Sequence, residues 1–388
     1  MPAPRYSSKE MIERLVGFDT VSAKSNLALI EFTEEYLSQH GVPFRRTVDP
    51  EGDKANLFAT IGPDLPGGIV LSGHTDVVPV EGQSWETDPF EVVEKDGLLY
   101  GRGTSDMKSF LAVALALVPD FLAKPLKRPI HIAMSYDEET GCTGVLGMID
   151  DITANLQQPR IAIIGEPTSM RLVTAHKTCS GFRTHVRGKA AHSSQTHRGA
   201  NAIMGAAKLV SFVAQMAEEK RQAAKPKGGF EPPYTTLGVG IIEGGTALNI
   251  IAQDCSFYWE IRALPDDDEQ AIVERFERYA AEEVLPSLQA IDPDAFITTE
   301  YLPSVPALRP EPEGDAETLV RHLTGLNEEE VVSFGTEGGH FQNAGFSTVI
   351  FGPGNIDQAH QPNEFIALEQ VEACEAFLLK LRDWAAED

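Results

Sequence analysis

Two histidines and five acids, His74, Asp76, Asp106, Glu138, Glu139, Glu166 and His360, fall where a folded chain can gather them. His74 closes an apolar run, Gly68-Ile69-Val70-Leu71, that reads as a buried parallel strand. Asp76 lies two residues on, and in extended chain residues i and i+2 face the same side. A metal-binding imidazole usually gives its second N–H to a carboxylate or carbonyl, so Asp76 is placed to orient His74. His-x-Asp alone equally describes a loop histidine bonded to a neighbour, and the other positions change that balance. Asp106 ends the loop Gly101-Arg102-Gly103-Thr104-Ser105-Asp106, Glu138-Glu139 follow Ile130–Tyr136, Glu166 follows Arg160–Gly165, and His360 lies in a Gly/Pro-rich loop after Ser347–Phe351. In an open α/β sheet ligands bind at the carboxyl ends of the strands. Nitrogen and oxygen donors converging there without thiolates fit one or two zinc ions, with cobalt or manganese as substitutes. Two metals held by five side chains need one bridging carboxylate, and they activate a shared water and polarise a carbonyl.

Those positions require strands that alternate with helices. Apolar runs at 56–61, 68–73, 130–136 and 160–165 read as strands, with helices over 7–40, Lys108–Leu122 and 144–152. The pattern predicts an α/β domain with a mostly parallel sheet. After about residue 176 the style changes to a β-α-β-β-α unit: alternating Thr178–Arg187, a helix over Asn201–Lys220, strands at 235–243 and 255–261, and a long helix from Glu269 to about Leu288. The first style resumes near residue 300. The expected division is a catalytic domain over 1–177 and 300–388, with an inserted α+β, ferredoxin-like module over 178–299.

At 388 residues the chain suits two domains, and 42% hydrophobic with 23% charged residues is ordinary for a globular protein. A formal charge of −26 argues against nucleic acid as a partner. No apolar run reaches the length of a membrane span, and the start lacks the apolar stretch of a secretory leader. Cys142, Cys179, Cys255 and Cys374 are scattered, as for thiols of a reducing cytoplasm, and Cys142 reads as packing rather than as a nucleophile.

Ser72-Gly73-His74-Thr75-Asp76, Gly101-Arg102-Gly103-Thr104-Ser105-Asp106-Met107-Lys108, Asp137-Glu138-Glu139, Gly165-Glu166-Pro167-Thr168 and Ala359-His360-Gln361-Pro362-Asn363-Glu364 occur in that order. Together they resemble the co-catalytic zinc amidohydrolases, a family of N-acyl amino acid deacylases and peptidases, over nearly the whole chain. The resemblance implies a zinc-peptidase-like catalytic domain and two Zn2+ ions. His74, Asp106 and Glu166 would hold one ion, and Asp106, Glu139 and His360 the other, with Asp106 bridging. It implies Asp76 as the orienting acid, Glu138 as general base, and a cis peptide at Asp106-Met107. It further implies a homodimer in which the inserted module acts as lid and dimerisation domain. There His192, in Gly188-Lys189-Ala190-Ala191-His192-Ser193-Ser194, reaches the partner's site to bind the developing oxyanion. Asn249 and Arg262 match substrate-binding positions, and Arg262 suits a bidentate grip on a carboxylate.

Phe334-Gly335-Thr336-Glu337-Gly338-Gly339 and Phe351–Glu364 are similar to the branch acting on N2-acetyl-L-ornithine in arginine biosynthesis. Glu337 is there the candidate partner of the substrate's δ-ammonium. N-acetylcitrulline, succinyl-diaminopimelate and peptides are the alternative substrates.

Overall fold

The computed structural model of the chain describes residues 3–225 and 228–387. It divides into two compact units: Met1–Ala175 with Leu308–Glu330 and Thr336–Asp388, and His176–Ala307 with Val331–Gly335.

The apolar runs form an eight-stranded sheet. In spatial order its strands are Phe44–Val48, Ala55–Ile61, Ile130–Ser135, Ile69–His74, Ile161–Ile164, Ser347–Ile350, Val173–His176 and Glu330–Val332. Ile69–His74 is parallel to both its neighbours, and Ser347–Ile350 is parallel to Ile161–Ile164. The four central strands therefore end on one edge, and antiparallel strands flank them. Ile69–His74 and Ile130–Ser135 are buried at every residue, as expected of strands covered on both faces.

The covering helices carry local signals for their ends. Ser8–Val16 opens on a capping box between Ser7 and Glu10. Leu368–Ala385 buries Val371, Cys374, Phe377, Leu378 and Leu381, the three- and four-residue spacing of one apolar stripe. The single helix expected over Lys108–Leu122 is two, Lys108–Ala116 and Val118–Leu122. Pro119 has no N–H to continue the ladder, and the chain restarts around it. A small sheet of Val93–Lys95, Leu98–Tyr100 and Phe365–Ala367 was not expected from the sequence.

The second unit is built on a four-stranded antiparallel sheet in the order Thr236–Gly244, Asp254–Arg262, Cys179–Arg187, Phe296–Val305. With helices Ala202–Gln222 and Glu269–Tyr279 this gives a β-α-β-β-α-β order. The last strand adds to the expected unit. Its residues are mostly exposed, so it shows no apolar alternation, and it lies at the sheet edge with Pro303 in it. The predicted long helix also breaks, through a π-turn at Ala280–Val284 ahead of Pro286. The core centres on Trp259, whose ring lies 4.4 Å from those of both Phe182 and Phe276. Among the described residues no helix is long and apolar enough to cross a membrane.

Candidate active site

Strand register brings the acids to the histidine. His74 pairs with Ser135 across one parallel ladder, and Ser72 pairs with Ile164 across the other. Glu166 therefore leaves its strand level with His74, and the Glu138-Glu139 turn begins just past it on the other side. Gly165 lets the helix at Lys108 approach: a Cβ there would stand 2.1 Å from the Phe110 ring. That helix follows the Asp106 loop, and the Asp106–Met107 peptide is cis.

Asp106 stands between the two imidazoles. Its Oδ1 is 3.0 Å from His74 Nε2 and its Oδ2 is 3.3 Å from His360 Nε2. Glu139 lies on the His360 side, with Oε2 at 3.0 Å from Nε2, and Glu166 lies on the His74 side, with Oε1 at 3.8 Å. Donor atoms of His74, Asp106 and Glu139 are within 4.8 Å of one another, as are those of His74, Glu138 and Glu166. His74, Asp106 and Glu166 are buried, while half of the His360 side chain is exposed.

The charge balance calls for cations. Burial, reinforced by neighbouring carboxylates, pushes Glu166 well above the usual range, and burial likewise raises Glu138 and Glu139. Burial opposes a charge on His74, yet the Asp106 hydrogen bond and the surrounding acids hold it protonated, well above its ordinary value. Hydrogen bonds to Asp106 and Glu139 push His360 up to about 10. Protons thus take the places that divalent ions suit, and the imidazole and carboxylate donors fit zinc, cobalt or manganese.

Asp76 meets His74 through its main chain more closely than through its carboxylate. Its backbone carbonyl accepts from His74 Nδ1 at 2.8 Å, whereas its carboxylate is 3.6 Å away. The carboxylate accepts from Ser22 Oγ at 2.7 Å and from the backbone N–H groups of Glu138 and Glu139 at 3.1 and 3.3 Å. Asp76 therefore orients the histidine through its main chain and the acid pair through its side chain.

Glu337 lies deeper than a solvated loop acid. Its carboxylate is buried and accepts hydroxyl hydrogen bonds from Ser72, at 3.2 Å, and from Ser135. Burial pushes it up to about 7 despite the Ser135 bond.

Cys142 is buried and donates from Sγ to Glu138 Oε1 at 3.2 Å, and burial raises its thiol well above the ordinary value. Ser22, Ser72 and Ser135 escaped the sequence reading, because serine carries no pattern that separates a buried donor from a surface one.

His192, Asn249 and Arg262 belong to the second unit. The exposed His192 ring accepts the Ser194 N–H at Nδ1, at 3.2 Å, so the neutral ring carries its proton on Nε2. Asn249 is exposed in a turn whose carbonyl accepts from Ser193 N–H at 3.0 Å. Arg262 pairs with Glu260, Nη2 to Oε2 at 3.1 Å.

A buried acid flanked by two histidines and further carboxylates, at the carboxyl edge of a largely parallel sheet, is a candidate centre for divalent metal ions. The model of peptidase family M20/M25/M40 matches residues 70–382. The chain is 36% identical over 390 residues to an acetylornithine deacetylase of Pasteurella multocida, covering 96% of each chain. Among solved structures it superposes on an aminopeptidase PepT from Bacillus cereus with a TM-score of 0.75, at 18% identity, covering 98% of this chain and 99% of that one. It also superposes on the YXEP protein of Bacillus subtilis, described as a dinuclear metal binding peptidase, with a TM-score of 0.65 at 13% identity, covering 97% and 96%. The chain belongs to peptidase family M20/M25/M40 and is a metal-dependent amide hydrolase.

Proposed function

We propose that this chain hydrolyses N2-acetyl-L-ornithine to L-ornithine and acetate, as a step of arginine biosynthesis in the cytoplasm. The observation that carries the chemistry is the Asp106 carboxylate, with one oxygen toward each imidazole. Asp106, His74 and Glu166 would hold one Zn2+, and Asp106, Glu139 and His360 the other, with Co2+ or Mn2+ as substitutes. When bound, the ion pair lowers the pKa of a water and polarises the acyl carbonyl. The substrate assignment is supported by the deacetylase relative, which aligns with this chain almost end to end.

Glu138 takes the proton of the attacking water and passes it to the departing amine. It suits that task because Cys142 and the Asp76-bound backbone fix its position while Glu139 faces His360. Arg262 binds the substrate α-carboxylate as a fork, exchanging its Glu260 partner for it, and Asn249 adds an amide contact. A panel of N2-acetylornithine, N-acetylcitrulline, N-acetylmethionine and succinyl-diaminopimelate tests the substrate. Preference for N2-acetylornithine, lost on chelation, is expected. Preference for another amide overturns the substrate and keeps the site.

The chain acts as a homodimer in which His192 donates from Nε2 to the oxyanion in the partner's site. Support comes from the edge strand Thr236–Gly244, which exposes Ile241 and Ile242 by 52% and 51% and pairs on one side alone among the described residues. Such an edge is suited to cover by a second copy. His192→Ala is expected to lower kcat by about 100-fold with metal content unchanged. Mixed with a Glu138→Ala chain, it is expected to regain about a quarter of wild-type activity, since half of randomly paired C2 dimers then hold one intact site. Loss of metal in His192→Ala, or no regain on mixing, contradicts the role.

A further inference from the structure

Asp106 and His360 reach the site on two loops, and a buried ion pair joins those loops. Arg102 and Glu364 are each 1% exposed, with Nη1 2.7 Å from Oε2. The other oxygen of Glu364 accepts the backbone N–H groups of Gly103, Ser105 and Asp106 at 3.1, 2.8 and 3.0 Å. The Glu364 carbonyl accepts from Gly101 N–H at 2.9 Å. One residue, four positions after His360, thus gathers four of the six amides of the loop Gly101–Asp106.

Arg102 makes the return connection. It donates to the Gln361 carbonyl at 3.3 Å and from Nη2 to Gln83 Oε1 at 2.6 Å, and Gln83 Nε2 donates to the His360 carbonyl at 2.9 Å. The Trp85 ring covers the guanidinium at 5.1 Å. His360 needs such support, because its side chain is 52% exposed and its backbone is left-handed, with φ of 63°. Little packing holds the ring, so its position is set by its main chain. His74, by contrast, ends a strand buried throughout, and Glu166 leaves a strand buried throughout.

We propose that Arg102 and Glu364, with Gln83 as their link to His360, are positioning residues that hold the Asp106 and His360 loops in one register, and so set the affinity for the metal shared by Asp106, Glu139 and His360. This rests on the paired-metal reading above. The Gln83 link touches His360 and not His74 or Glu166, so its loss weakens the ion that His360 holds and spares the other, whereas Glu364 also holds the Asp106 amide and its loss reaches both ions, that of His360 most. Supporting groups around metal ligands typically account for 10- to 100-fold in metal affinity.

The test is equilibrium binding of Zn2+ and Co2+ to the full chain, with the visible spectrum of the Co2+ form. It compares wild type with Gln83→Ala, Arg102→Lys, Glu364→Gln and, as reference, His360→Ala. Gln83 is partly exposed, so Gln83→Ala keeps the fold, checked by an unchanged melting temperature in chelator. Wild type is expected to take up two ions per chain. Gln83→Ala is expected to bind the weaker ion about 10-fold or more less tightly, the stronger ion as before, and to show the His360→Ala spectrum at one equivalent. Arg102→Lys and Glu364→Gln are expected to weaken the same ion at least as much, and the other ion less. Excess metal should restore much of kcat in all three. If wild type binds two ions and these variants bind both as well as wild type does, or weaken both equally, the brace is wrong and the paired site stands. If wild type takes up no pair of ions, the paired-metal reading fails and the proposal with it.

Discussion

Replacing Glu138 with alanine is expected to leave metal uptake near wild type and to lower kcat by about 100- to 10,000-fold, the range attributed to a positioned general base. The separation of the two readouts follows from the turn that carries the acid pair. Glu139 faces His360 and Asp106, whereas Glu138 accepts from Cys142 and lies near His74 and Glu166. The backbone of both is fixed by Asp76, so shortening one side chain leaves the other in place. Glu138→Gln, which keeps size and loses basicity, is expected to be as slow. Stopped turnover with KM little changed identifies a group acting on protons. Substantial activity in either variant contradicts the assignment, and loss of an ion from both makes Glu138 a ligand instead.

The second large effect is on Asp106. Asp106→Ala is expected to weaken uptake of both ions, by at least about 100-fold, given that outer supporting groups alone account for 10- to 100-fold. Among the described residues no other carboxylate stands between the imidazoles: Glu139 is on the His360 side and Glu166 on the His74 side. Removing it also takes away the one carboxylate that His74 and His360 share. Metal analysis after dialysis against a buffered zinc solution checks this. Retention of two ions by Asp106→Ala contradicts the bridging role, and loss of a single ion assigns Asp106 to one metal alone.

The metal cluster was legible because its residues follow apolar runs, and a parallel sheet delivers the ends of such runs to one edge. His74, Glu138, Glu139 and Glu166 needed only strand order to meet. Where the sequence is silent, the deciding contact is long-range or made by the main chain. Asp76 turns a carbonyl to His74, an option that every residue has and no residue type advertises. Glu337 looks like a loop acid until Ser72 and Ser135, far away in sequence, converge on it. Arg102 and Glu364 are 262 residues apart, and a charged pair reads as surface until both partners are seen to be buried. The fourth strand of the second unit was hidden for the opposite reason: edge exposure erases the alternation by which strands are recognised.

The most direct test of a metal-dependent deacylase is a zinc titration of the metal-free chain with N2-acetyl-L-ornithine hydrolysis followed at each point. No turnover is expected without metal, and activity is expected to rise with uptake and level off by two ions per chain. Turnover that persists after metal removal has been verified, or two bound ions with no amide hydrolysed, contradicts that assignment.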